Sequence, residues 1–575
     1  MLSTALELIK LYGIKLDNPY NRVSLGEKTE VIDHELFIKN IPDGLLFLMN
    51  QMEGKTKPNN PFKHTSTMID LSRNQVFQVS YFKEVILKHA LLGYDEIWLY
   101  MEDTYEIKEV PKFGYMRGRY TEKELNELVL FAEKLGVTLI PCIQTLGHLK
   151  SFLRWFSHKK YKDTVDVLKV GSNDVYELID LMVKTMRRIF KTEKIHVGMD
   201  ETFGLGFGNF YKENGFVPQK EIFMNHLIKV NEICLNHGYK DVYIWSDMFF
   251  RMGSKTESYY DLNIILDKEY MDRVPKNVGL VYWDYYNSNP ELVTAMVQKH
   301  LDTNRKVIFA SGTWMWTKLT YDKKKTDSTA LVHIDVSLKL GIEEICFTQW
   351  QDDGAYCEYD SIYLGLYDVQ NHIHQNQLNQ SIYTKVTKHD YDKRVLVADF
   401  NNLGIIPINL LWDDLILGIY MNDCFGYDYK LIDPVIEAFD NYLNKLDENQ
   451  IEGYVYQLAQ LLRLKLKIRR DLLDYYQNKQ PLKPLETLLT EFKEKNDSLI
   501  NTLRINWLSQ NKIYGLEVLE SRLEVFRSRV TDLLILIKLY DKKEIKALDF
   551  LEFELTKEPY LSPKFTDTFY GTSVF

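Results

Sequence analysis

An α/β fold, a (β/α)8 TIM barrel with a small N-terminal segment and an α-helical C-terminal domain, is the class this sequence predicts. Three observations predict it. Eight short β-branched or aromatic runs alternate with amphipathic stretches between residues 63 and 370. Polar and aromatic residues collect just after every one of those runs. Beyond about residue 375 strand-like runs thin out and long amphipathic segments take over. Eight strands alternating with helices is the requirement of a closed barrel.

The strand runs are 67–71, 96–100, 138–143, 195–199, 242–245, 278–283, 306–310 and 344–349, and the helical stretches 82–92, 122–135, 175–190, 221–237, 291–301 and 329–340. An open doubly wound sheet would place a glycine-rich phosphate loop after its first strand. Residues 70–75, which contain Arg73, hold no glycine. Residues 1–62 read as an N-terminal cap or subdomain with turn signals at 17–19 and 41–44. Residues 63–370 read as the barrel, and 371–575 as a mainly helical domain with segments near 434–446, 449–477, 483–510 and 515–540. In it Leu461, Leu462, Leu464, Leu466 and Ile468 alternate with Arg463, Lys465, Lys467, Arg469 and Arg470. Core packing and self-association as a homodimer are the roles expected of these helices.

A formal net charge of −10 argues against a nucleic-acid partner, which needs clustered positive charge. Lys323, Lys324 and Lys325 read as a solvated loop. No apolar run has the length of a membrane span, and Glu7 interrupts what would be a signal peptide's apolar core. Five scattered cysteines without CxxC spacing read as reduced thiols of a cytoplasmic protein. No metal site or cofactor is expected. The aromatic content, 13%, fits a tyrosine-rich composition and a sugar-stacking site equally well.

Barrel enzymes build their sites at the C-terminal ends of the strands. Those ends carry Arg73, Glu102-Asp103, Gly147-His148, Asp200-Glu201, Trp245 with Asp247, Trp283 with Tyr285 and Tyr286, Trp314 with Trp316, and Trp350 with Asp352 and Asp353. Asp200 and Glu201 are the pair best suited to chemistry. Successive side chains on a strand point to opposite faces, so both reach one pocket only where the strand turns. The glycine-rich run 202–208 supplies that turn. Two adjacent carboxyls repel, which keeps one protonated and able to serve as a general acid. A conventional retaining glycosidase holds its carboxylates about 5–5.5 Å apart across the scissile bond. Neighbours on one strand end cannot straddle a sugar in that way. A better division has one acid protonate the leaving group while the other manages a group of the substrate.

The run Lys194-Ile195-His196-Val197-Gly198-Met199-Asp200-Glu201 resembles that of family 20 glycoside hydrolases, the β-N-acetylhexosaminidases, and among them the compact bacterial type with a helical C-terminal domain. Residues 68–73 after the first strand, 143–148 after the third and 350–354 after the eighth add to the resemblance in the expected order. It implies exo-action on an oligosaccharide or glycoconjugate with a terminal β-linked N-acetylhexosamine, by a retaining, substrate-assisted route. Glu201 is then the acid/base, and Asp200 accepts the acetamido N–H. Arg73 binds ring hydroxyls, and His148 and His196 orient carboxylates, although His196 reads equally well as a satisfied core histidine. Trp245, Trp283, Trp314, Trp316 and Trp350 supply walls, and Asp352 binds a hydroxyl. The family's tyrosine after strand seven is missing from the run 311–316, and Tyr285 and Tyr286 after strand six are the replacements.

Two readings from other classes stand beside this one. A metal-dependent hydrolase would need paired histidines at ligand spacing, and the sequence has no HxH or HExxH. A non-catalytic glycan binder would not need the Asp200–Glu201 pair.

Overall fold

The computed structural model describes residues 1–55, 59–352, 354–446 and 453–553. The expected residue Asp353 and parts of the segments at 449–477 and 371–575 therefore lie outside the described residues. The chain divides into two compact units. One comprises residues 1–314, 324–350 and 362–389, and the other 315–323, 351–361 and the residues from 390 onward.

In the first unit a small sheet precedes the barrel. Its strands are β1 (Val23–Leu25), β2 (Glu30–Ile32) and β3 (Glu35–Ile38), with β3 in the middle, parallel to β1 and antiparallel to β2. Asn40 caps the helix Ile41–Met52 by accepting the Asp43 N–H, and its amide also reaches Asp95 at 3.2 Å.

The barrel consists of β4 (His64–Asp70), β5 (Glu96–Met101), β6 (Thr138–Ile143), β7 (Lys194–His196), β8 (Asp241–Trp245), β9 (Val278–Trp283), β10 (Val307–Gly312) and β11 (Glu344–Gln349). All neighbours are parallel, and β11 closes onto β4 from Glu344↔His64 to Gln349↔Ile69. The eight-strand expectation holds, and all six helical stretches are helices. Their ends follow local rules. Thr121 and Glu124 form a capping box before Glu122–Lys134, while Asn289 and Pro290 start Pro290–Leu301. Lys323 to Lys325 correct the loop expectation by opening the helix Lys323–Lys339. Lysine is a good helix former, and Lys325 is anchored, donating to the Tyr286 carbonyl at 3.1 Å.

Aromatic rings fill the barrel axis. Trp98 lies 5.9 Å from His196 and 5.5 Å from Tyr243. Trp245 lies 4.7 Å from His196 and 6.0 Å from Trp350, and Trp350 meets Tyr100 edge-on at 4.7 Å. Gly279 makes room for this column, because a Cβ there would stand 2.5 Å from the Tyr243 ring. At the opposite end of the barrel from the loops of interest, Lys194 is held by Glu96 at 2.7 Å and Glu344 at 3.0 Å.

The second unit contains Asp433–Leu443, Gly453–Gln477, Leu485–Gln510 and Leu516–Asp541, helices packed through residues such as Leu462, Phe492, Leu499 and Phe526. Two cations of the basic stripe turn inward. Lys465 and Arg469 are buried and donate to the carbonyls of Leu411 and Ile416. Cys142, Cys234, Cys346 and Cys357 are buried, Cys424 is exposed, and all five are free thiols. No helix among the described residues is long and apolar enough to cross a membrane.

Lys194→Met leaves two buried carboxylates without their cation and is expected to lower stability by about 3–5 kcal/mol. Urea unfolding measures it; a midpoint equal to that of the parent protein would show that the ion triad contributes little.

Candidate active site

The run after β7 is shaped by its own side chains. His196 Nδ1 accepts the Gly198 N–H at 3.0 Å, which ends the strand early and turns the chain. The strand expected to reach residue 199 therefore stops at His196. Gly198, Met199 and Glu201 then take left-handed conformations with φ of 74°, 73° and 46°. Gln144, on the loop after β6, holds the turn from the side. Its Oε1 accepts the Met199 N–H at 3.2 Å, and its amide donates to Asp200 Oδ1 at 2.7 Å and to the Tyr100 hydroxyl at 2.9 Å. Below the pair, Asp163 fixes the glycine-rich loop by accepting the N–H groups of Gly206 at 2.9 Å and Phe210 at 2.7 Å.

The turn separates the environments of the two acids. Asp200 is drawn inward, its side chain 13% exposed, while that of Glu201 is 38% exposed. His148, itself at φ 58°, stands between them, with Nδ1 3.6 Å from Asp200 Oδ2 and Nε2 3.7 Å from Glu201 Oε2. Burial opposes its protonation, but the carboxylates of Asp200, Glu102 and Glu201 outweigh burial and raise its pKa. His196 contrasts with it. Burial lowers its pKa to about 3, so it is a neutral core residue that shapes the turn.

Arg73 follows β4 and lies 3.6 Å from Asp70 and 3.4 Å from Glu102, with its guanidinium 5.3 Å from the centres of the Tyr100 and Trp350 rings. Arg117 is 3.7 Å from Glu102 on that residue's other oxygen. Even between two arginines and His148, burial pushes the Glu102 carboxyl up to about 7. On the far side of Glu201 stands Asp247, whose Oδ2 accepts the Glu201 N–H at 3.0 Å. Burial, with Asp200 next in effect, pushes its carboxyl up to about 7 as well.

The predicted aromatic residues separate by depth. Trp245 and Trp350 are buried in the axial column, and the Trp245 Nε1–H has no hydrogen-bond partner among the described residues. Trp283 stacks on Tyr285 with centres 5.4 Å apart at 16°, and Tyr285 lies 6.5 Å from Trp350. Tyr285 is 6% exposed and Tyr286 52%, the latter meeting Trp314 edge-on at 5.4 Å. Sequence parity leaves the two tyrosines equal; their surroundings do not. Trp316 is buried and Asp352 partly buried, both within the second unit. Among the described residues, no group of three His, Cys, Asp or Glu side chains is arranged to hold a metal ion.

Four residues without a role in the sequence reading also reach the site, namely Gln144, Glu102, Asp247 and Arg251. Glu102 and Asp247 are visible in the sequence as strand-end acids. Arg251 could have been found from its i, i+4 spacing to Asp247 in the helix Asp247–Gly253. Gln144 carries no comparable signal, since only the fold brings it to residue 199.

A closed parallel barrel with carboxyls and aromatics gathered beyond its strand ends has the build of a barrel enzyme. Residues 62–372 match the family model described as "Glycosyl hydrolase family 20, catalytic domain", and residues 407–567 that described as "Glycoside Hydrolase 20C C-terminal domain". The chain belongs to glycoside hydrolase family 20. It is similar to Beta-hexosaminidase 3 of Arabidopsis thaliana, 25% identical over 209 residues, which are 34% of this chain and 38% of that protein. It is also similar to Hexosaminidase D of Homo sapiens, 23% identical over 241 residues, 41% of this chain and 46% of the relative. The match thus spans less than half the length of either. Among solved structures, the GH20 exo β-N-acetylglucosaminidase from Vibrio harveyi has a TM-score of 0.47 at 14% identity, covering 67% of this chain and 70% of its own. The chitobiase of Flavobacterium johnsoniae has a TM-score of 0.46 at 14% identity, covering 87% and 86%.

Gly198→Ala tests the turn. A Cβ at residue 198 would stand 2.0 Å from Gln144 Oε1, at a φ that alanine resists. The substitution is expected to destabilise by about 2 kcal/mol or more. Differential scanning calorimetry reads it, and an unchanged melting temperature would mean that the turn is not constrained.

Proposed function

We propose that this protein is an exo-acting β-N-acetylhexosaminidase that removes terminal β-linked GlcNAc or GalNAc with retention, using the substrate's own acetamido group as nucleophile. The observation that carries the reading is the division of the adjacent carboxyls: Asp200 held inward by Gln144, Glu201 turned outward on a left-handed residue, and His148 between them. Two such neighbours cannot flank a glycosidic bond from opposite sides, so the substrate must supply one of the partners.

In the first step Asp200 accepts a hydrogen bond from the acetamido N–H, which raises electron density on the acetamido oxygen. That oxygen attacks C1, the bond from C1 to the glycosidic oxygen breaks, and Glu201 gives its proton to the departing oxygen. The oxazolinium so formed carries a positive charge that the Asp200 carboxylate offsets. In the second step the Glu201 carboxylate takes a proton from water as that water adds to C1 and the ring opens. Two inversions at C1 give net retention.

Arg73 is assigned to the ring hydroxyls, which suit a charge-assisted donor. Trp350, Trp283 and Trp314 are assigned as walls, with Trp245 beneath them, because tryptophan covers apolar sugar faces and keeps an N–H donor. Of the two tyrosines, Tyr285 is the better partner for the acetamido oxygen. Burial raises its hydroxyl pKa well above the usual value and so keeps it a donor. The roles of Trp316 and Asp352 in sugar binding rest on the family pattern alone.

The purified protein is expected to hydrolyse nitrophenyl β-GlcNAc or β-GalNAc, and a thiazoline mimic of the oxazolinium is expected to inhibit it strongly. Glu201→Gln should lower kcat/KM about 100-fold or more for alkyl leaving groups and much less for nitrophenyl ones. No turnover of either glycoside would overturn the assignment. Hydrolysis insensitive to the thiazoline would remove the acetamido group from the mechanism.

A further inference from the structure

Glu201 is held by two groups that have no part in the reaction steps above. Asp247 Oδ2 accepts its main-chain N–H at 3.0 Å, and Arg251 Nη2 stands 3.6 Å from its Oε1. The two are joined to each other, because Arg251 Nε donates to the same Asp247 oxygen at 3.3 Å. They lie one turn apart on Asp247–Gly253, a spacing that brings both side chains to one face. The guanidinium is itself confined, 5.2 Å from the Phe203 ring centre and 5.9 Å from that of Tyr259.

Nothing in the packing of β8 requires a carboxyl at residue 247. Asp247 is fully buried, and its Oδ1 has no hydrogen-bond partner among the described residues. A buried carboxyl left half satisfied is costly, and a neutral side chain of the same size would fill the space. Glu201, meanwhile, sits at φ 46°, a conformation that a non-glycine residue keeps only when its surroundings hold it. Asp247 supplies that hold at the backbone, and Arg251 supplies it at the carboxyl.

We propose that Asp247 and Arg251 are a positioning pair for Glu201, fixing its main chain and its carboxyl and setting its affinity for the proton it donates. The proposal rests on the reading of Glu201 as the acid. Four charged groups bear on the Glu201 carboxyl: Asp200 and Asp247 favour its protonated form, and Arg251 and His148 its ionised form. The pair therefore pulls in opposite directions. Removing the charge of one member must move the proton affinity of Glu201 one way, and removing that of the other must move it the other way. A purely structural role predicts no such opposition.

The test uses the full-length protein and two β-GlcNAc glycosides, one with a nitrophenyl and one with an alkyl leaving group, followed as kcat, KM and the pH profile of kcat/KM. Asp247→Asn keeps an oxygen for the Glu201 N–H and removes the charge; it should move the alkaline limb down by about 0.5–1 pH unit. Arg251→Met should move that limb up by a similar amount, and Arg251→Lys should restore most of the difference. For both Asp247→Asn and Arg251→Met the loss should fall about tenfold harder on the alkyl glycoside, chiefly in kcat with KM within about twofold. Limbs that stay in place, or that move in the same direction, would overturn the proposal, as would equal losses on both glycosides. If Asp247→Asn fails to fold, the Arg251 variants decide by the same readouts. Glu201→Gln run alongside separates the two levels: equal loss on both glycosides there would remove the acid itself, whereas a selective loss there with unmoved limbs in the variants would remove only the pair.

Discussion

The left-handed turn after β7 is the constraint on which the site depends. A strand continued through residue 201 would send the two adjacent carboxyls to opposite faces of the barrel wall. The ring of His196 prevents this by capturing the Gly198 N–H, and Gln144 then binds both the Met199 N–H and Asp200. Each hold needs a particular chemical state. His196 accepts at Nδ1 only while that nitrogen is unprotonated, and burial keeps it so. Gln144 needs an amide, with one end to donate and the other to accept. The turn is therefore built from neutral groups, and the charged groups are reserved for the open side.

The axial rings separate two electrostatic systems. At one end Lys194, Glu96 and Glu344 form a closed triad. At the other, Arg73, Glu102, Arg117, His148, Asp200, Glu201, Asp247 and Arg251 form a connected set. Between them lie Trp98, Tyr243, His196 and Trp245, rings that pack on one another without any charged partner. Barrel interiors are packed cores of this kind. The low polarity of that core explains why carboxyls at its edge hold their protons up to neutral pH.

Much of this is legible in the sequence. Strand and helix runs alternate strongly enough that all eight strands fall within a few residues of their expected places, and the long helices of the second unit can be read from their apolar spacing. The acid pair is marked by its position after a strand and before a run of glycines. Other features leave no local mark. Where β7 stops depends on a hydrogen bond from a main-chain group to a side chain, and β-branched Val197 gives no warning of it. Burial of Lys465 and Arg469 depends on carbonyls more than 50 residues away in the chain. The distinction between Tyr285 and Tyr286 depends on rings from β9 and beyond β11, which no reading of their own dipeptide supplies.

The raised carboxyls of Glu102 and Asp247 also load the fold thermodynamically. Each has an ordinary pKa near 4 in the unfolded chain and about 7 in the folded one. The folded state therefore binds more protons than the unfolded state across that interval, and by linkage stability falls as pH rises from about 4 to about 7. Below the interval both carboxyls are neutral in either state and exert no load; above it the full load is present, on the order of a few kcal/mol. This runs against the trend set by salt-bridged surface acids, which gain stability over the acid part of the same range. The barrel mouth is thus a region of stored free energy, and the rest of the barrel must be stable enough to hold it folded.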